Sequence, residues 1–183
     1  MPVPIRRLAV ALTLCCALLA GATACGTGNS VQNTAAVAAA SPSATVERQK
    51  LAKTRFVANA SLAAGATYQW IVKPWKAGKF KKGTKGRRLA LVKAGVAGAF
   101  AYNRLKAALR NAQGDPTLAK AVAPLGAGVE ALKSLSSKLR KGDSTDAVVG
   151  SFDDIINQVK SAGQSAGADV KNKVPSAGQL AGG

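Results

Sequence analysis

From Leu118 onward the apolar residues keep a helical beat: Leu118, Val122, Leu125, Val129, Leu132 and Leu139 follow one another at spacings of 4, 3, 4, 3 and 7, and only Ser136 interrupts the stripe. This heptad-like pattern predicts an amphipathic helix with one buried face. It opens at Asp115, a residue that caps free amides, and Pro116 stands at the first helical position, where its missing N–H costs nothing. Pro124 lies within the run and predicts a kink or split over residues 121–126, and Gly142 predicts its end. A second stripe, Val148, Phe152, Ile155, Val159 and Ala162, follows a cap at Asp143 or Ser144. The short turn between the two helices predicts an antiparallel hairpin over residues 115–165.

Two further helices are expected upstream. Residues 87–111 carry one charge, Lys93, between Leu89 and Phe100, so that stretch is apolar on nearly every side, and it becomes amphipathic around Leu105 and Leu109. Such a helix is central in a bundle or touches lipid, and Gly95, Gly98 and Ala99 allow close approach of a neighbour, which favours the central place. Residues 46–72 read as an alanine-rich helix with Leu51, Phe56, Leu62 and Trp70 as its larger apolar members, ended by Pro74. No run alternates with period two for long enough to make a sheet. The expected fold is all-α: a small bundle of about four helices, with a disordered tether before it and a disordered tail after it.

The first 24 residues read as an export leader. Arg6 and Arg7 precede an apolar run over residues 8–20, which is too short to span a bilayer, and Ala22, Thr23 and Ala24 supply the small residues of a cleavage site. Two processing routes share the bond before Cys25. The Ala-Thr-Ala triplet suits ordinary signal cleavage. Followed by Cys25, the segment resembles the lipobox of bacterial lipoproteins, with Ala22 standing where a leucine is common. That resemblance implies a lipid-bearing Cys25 as the first mature residue. Cys15 and Cys16 leave with the leader, so Cys25 would be the lone thiol in an oxidising space, and acylation would remove it. The expected organisation is therefore a signal peptide over 1–24, a flexible tether over 25–45, a helical domain over 46–165 and a disordered tail over 166–183. The tether is rich in Gly, Ser, Thr and Ala, and the tail holds Pro175 with few large side chains.

Composition adds two facts. Hydrophobic residues make up 48% of the 183 but aromatic ones only 4%, so the core is built largely from small side chains that each bury little area at ~25 cal/mol per Å². The formal charge is +18 and unevenly spread. Between Arg48 and Arg110 there are 16 Lys or Arg and no carboxylate, whereas from Asp115 to the end 8 basic residues face 7 acidic ones. The domain divides into a basic part, 46–112, and a near-neutral hairpin, 115–165. Such asymmetry points to an anionic partner.

The basic part centres on YQWIVKPWKAGKFKKGTKGRR, residues 68–88, which hold eight Lys or Arg and half of the aromatic residues of the chain. Lysines fall on every side, so the segment is expected as an exposed connector. Lys73, Lys76, Lys79, Lys81, Lys82, Lys85, Arg87 and Arg88 are the candidate anion-binding residues, with Trp70, Trp75 and Phe80 as interfacial aromatics. Three uses fit. Indole rings and lysines suit an acidic membrane surface. Lysines and aromatic rings also suit a phosphate polymer, either a wall polyanion or nucleic acid. In the third, the rings close the end of the bundle and the lysines merely solvate it.

Residues 78–85, GKFKKGTK, have the glycine spacing of a nucleotide-binding loop but end Gly-Thr-Lys, and no strand precedes them, so nucleotide hydrolysis is excluded. The chain has no histidine, which removes histidine-based acid–base and metal chemistry, and no Ser-x-x-Lys occurs. Asp153 and Asp154 are neighbours on a helix and point about 100° apart, which suits solvent better than a shared metal. The expectation is an exported, lipid-anchored, non-catalytic envelope protein that needs no cofactor or metal. A structural or protein-interaction module and a membrane-perturbing cationic protein are the alternatives.

Overall fold

The computed structural model describes residues 42–181. The leader, Cys25 and the tether up to residue 41 lie outside the described residues. Within them the fold is all-α: α1 (Pro42–Thr67), α2 (Arg87–Ala112), α3 (Pro116–Val122), α4 (Gly126–Lys141), α5 (Thr145–Ser165) and a short α6 (Ala177–Ala181). The long helices pack in a closed circuit, α1 on α2, α2 on α4, α4 on α5 and α5 back on α1. Among the described residues no helix is long and apolar enough to cross a membrane.

The local signals of the second half are realised bond by bond. Asp115 caps α3, its carboxylate accepting from the Leu118 amide at 2.8 Å, and Lys53 of α1 stands 3.7 Å from its other oxygen. Pro124 sits in a 3-10 turn, Ala123–Leu125, which divides α3 from α4 as its missing N–H requires. At Gly142, φ is +81°, the left-handed geometry that a Cβ disfavours, and the Asp143 amide reaches back to the Lys138 carbonyl at 3.0 Å. All six apolar members of the first stripe are buried, and so is Ser136, whose hydroxyl donates to the Leu132 carbonyl at 2.8 Å. That bond inside the helix lets a small polar residue hold a core position. In the second stripe Val148, Phe152 and Val159 are buried, and Val149 and Ile156 join them, so the buried face of α5 is broader than the stripe.

The upstream pair is joined through small residues. Ala52, Ala60, Ala63 and Ala64 of α1 and Ala94, Ala97, Ala101 and Ala108 of α2 are all buried. α2 is central, as the pattern predicts. At Gly98 a Cβ would meet Phe152 at 2.9 Å and Ser136 at 3.1 Å, so α4 and α5 close on it only because that side chain is absent. One side of α2 nevertheless faces solvent, and Leu89, Val92 and Val96 lie there exposed. An all-round apolar helix gives periodicity no phase from which to single out this side.

Three boundaries differ from expectation. Residues 42–45, expected in the tether, open α1, with Pro42 at its first position. Pro74 does not end the helix. The chain passes through a π turn, Tyr68–Val72, with the Lys73 amide bonded to the Tyr68 carbonyl, and then makes one more helical turn, Lys73–Lys76. A proline ring crowds the carbonyl four residues back, and a wide turn ahead of it relieves that contact.

The tail is the third. Residues 166–175, expected to be disordered, pack on the domain: the Lys173 amide donates to the Ser61 carbonyl at 2.9 Å, the Lys171 amide to the Ser61 hydroxyl at 3.2 Å, and Val170 and Pro175 are buried. Gly65 makes the crossing possible, since a Cβ there would fall 2.0 Å from the Lys173 carbonyl oxygen. Ser176 and Gln179 then form a reciprocal capping box that starts α6, with amide bonds of 3.3 and 2.9 Å.

Candidate anion-binding surface

Between Lys76 and Arg87 the chain forms a loop held by its own hydrogen bonds. The helical turn closes at Gly78, φ +69°, where the Lys79 amide bonds to the Pro74 carbonyl at 3.0 Å and the Gly78 amide to that of Trp75 at 2.8 Å. The Thr84 hydroxyl donates to the Gly78 carbonyl at 3.2 Å. Arg87 Nε donates to the Phe80 carbonyl at 2.8 Å, and its Nη2 reaches the Gly142 carbonyl at 3.5 Å. The connector is therefore a fixed platform with its cations pointing outward.

Lys73, Lys76, Lys79, Lys81, Lys82, Lys85 and Arg88 are exposed, and none of them takes part in an ion pair among the described residues. Two expected members behave differently. Phe80 is only 3% exposed and belongs to the core, so it anchors the loop and presents no ring to a partner. Arg87 is half-buried and its guanidinium serves two backbone carbonyls, which makes it a brace across the loop and the α4–α5 turn. Trp70 and Trp75 are half-buried against the core. The Trp75 indole N–H donates to the Asp146 carboxylate in the first turn of α5.

The cations are not gathered at one spot. Lys81 and Lys82, with Arg87, line a cleft of about 300 Å³ closed on its far side by Ser144, Thr145 and Asp146. Lys79 faces a different hollow, which it shares with Trp70, Leu89 and Lys93. Lys76 borders a third, near Asp153 and Lys160. Positive charge thus surrounds this end of the molecule. The sequence pattern does not single out Asp146, Lys93 or the exposed α2 side chains. The junction of loop and hairpin spans 71 residues of chain between Trp75 and Asp146, and no local spacing encodes it.

A separate polar cluster joins α2 to α4. Glu130 accepts from Tyr102 Oη at 2.8 Å and pairs with Lys106 at 2.9 Å, while Lys106 also contacts Tyr102 Oη at 3.2 Å. The hydrogen bond from Lys106, and after it that from Tyr102, holds the Glu130 carboxyl below its ordinary value, and the bond to Glu130 raises Lys106. Both groups are solvent-exposed, and the cluster lies on α2 and α4, away from the cationic loop. Asp153 is half-buried and Asp154 exposed. Among the described residues no three Cys, Asp or Glu side chains come together as a metal site would require.

Compared with known protein families, curated proteins and solved structures, the chain gives no match.

Proposed function

We propose that this chain is an exported, non-catalytic cell-envelope protein, lipid-anchored through Cys25 or secreted, whose folded part acts as a small bundle of about four long helices that presents cations to an anionic, phosphate-rich partner. The observation that carries the reading is the set of seven exposed cations on the braced platform, Lys73, Lys76, Lys79, Lys81, Lys82, Lys85 and Arg88, none of them engaged in an ion pair among the described residues. Seven like charges spread over one short connector repel one another, and an opposite charge relieves that repulsion. Acidic headgroups and phosphate polymers both supply it.

Binding to acidic vesicles and to long-chain polyphosphate, titrated with salt, tests this. A contact made by lysines on phosphates weakens steeply with ionic strength. Replacing Lys79, Lys81, Lys82 and Lys85 by Gln should lower the slope of log K against log salt by roughly 3 to 4. Binding to neither at low ionic strength would leave only a helical spacer or protein-interaction module.

A further inference from the structure

Leu89, Val92 and Val96 stand at i, i+3 and i+7 of α2, on one face, and are 60%, 47% and 36% exposed. Two shallow hollows run along that face. One, about 240 Å³, lies between Pro74, Lys79 and Leu89, and the other, about 310 Å³ and mostly apolar, lies between Val92, Val96 and Leu180 of α6. Both hollows are lined by Trp70 and by Lys93, so they form one continuous strip. A run of exposed large side chains of this kind marks a surface that something covers.

The rim says what. Lys79 and Lys93 line the hollows, Arg88 sits one turn before Val92 on the same helix, and among the described residues no carboxylate side chain lines either hollow. A soluble polyanion would satisfy the cations and leave the aliphatic side chains against polar groups. An acidic bilayer surface satisfies both, because phosphates meet the lysines at the depth of the headgroups and the aliphatic side chains enter the boundary just below. Trp70, half-buried between the two hollows, suits that boundary as well.

We propose that the face formed by Trp70, Leu89, Val92 and Val96, edged by Lys79, Arg88 and Lys93, lies flat on an acidic lipid surface. This rests on the reading of the loop as an anion-binding platform and adds which side of it meets the partner and what that partner is.

The test uses the full chain with Cys25→Ser, so that no acyl anchor contributes, and with Trp75→Phe, so that Trp70 alone reports. Vesicles of phosphatidylcholine are compared with vesicles that also contain phosphatidylglycerol, with and without brominated acyl chains, and long-chain polyphosphate serves as the soluble anion. The expected result is a blue shift of Trp70 emission and its quenching by bromine only when phosphatidylglycerol is present. The Leu89→Ser, Val92→Ser, Val96→Ser variant should partition more weakly, on the order of 10-fold or more, while its binding to polyphosphate is unchanged. These substitutions sit on the surface, so the helical signal should persist, and the Trp70 readout is local, so an apolar segment elsewhere in the chain cannot produce it. If vesicles are bound but Trp70 is not quenched, or the serine variant partitions like its parent, this face is not the contact and the inference fails while the anion-binding reading stands. Polyphosphate bound with vesicles ignored likewise overturns the inference and leaves a soluble polymer as partner. If neither is bound at low ionic strength, both fall.

Discussion

Residues 42–112 and residues 115–165 are both largely helical and both bury large side chains, yet they differ in what they leave outside. In the second stretch the large aliphatic residues face inward in two clear stripes, and basic and acidic residues share the outside. In the first, alanines make the seam between α1 and α2, while Val46, Leu51, Tyr68, Leu89, Val92 and Val96 are left on the surface among cations. No large hydrophobic residue between 115 and 165 is exposed to that degree. One half is organised as a core with a neutral coat. The other buries Phe56, Ile71, Phe100 and Leu105 as well, yet it carries both charge and apolar area outward, the combination that an interface with acidic lipid uses.

If that division is right, stability rests on the buried rings of both halves and the cations of the platform add little to it. Phe152 is fully buried and its ring fills the place of the missing Cβ at Gly98, so Phe152→Ala should cost about 3–5 kcal/mol in urea unfolding. By contrast the four-lysine variant should unfold within about 0.5 kcal/mol of its parent. A four-lysine variant as fragile as Phe152→Ala would break the comparison. A smaller loss, about 1 kcal/mol, is expected for Asp115→Ala, which removes the cap of α3 and the partner of Lys53 at the joint between the halves. Chemical denaturation checks this as well.

The smallest effect concerns Glu130. Its folded pKa is depressed below 4.5, so its stabilising contribution is present above that value and lost as pH falls through the folded pKa. Lys106, raised above 10.5, contributes below that value and loses its contribution as pH climbs through its folded pKa. Both groups are exposed and screened, so Glu130→Gln should lower stability only slightly between those two values, pH 7 included, and flatten the ends of the pH–stability profile accordingly, as read from thermal melts across pH. A clear loss at pH 7 would show the pair to be a major tie between α2 and α4.

Much of the second half is legible because its signals are local. Asp115 with Pro116, Pro124 and Gly142 each act within a turn of the chain, and each fixes a boundary that the structure keeps. The bounds of α2 are legible for the same reason, but not the side it turns to solvent, since the residues between Leu89 and Phe100 are apolar almost throughout. Phe80 reads as a surface ring because its neighbours are lysines, although it is a core residue that anchors their loop. The packed segment after α5 leaves no periodic trace. Its partners are Ser61 and Gly65, more than a hundred residues back, and its own signal is the Ser176–Gln179 capping box.

The wide turn at Tyr68–Val72 holds one residue more than the surrounding spiral would. Removing a single residue there would restore the ordinary winding and leave whatever follows aimed much as before, because the wide turn spends its extra residue within one circuit of the spiral. Trp75 would then stay beside Asp146, and the lysine platform would keep its heading. The chain can thus lengthen or shorten by one backbone unit in this turn without re-aiming its positive charge, whereas the same one-codon change within the ordinary winding of α1 would turn the platform by about 100°.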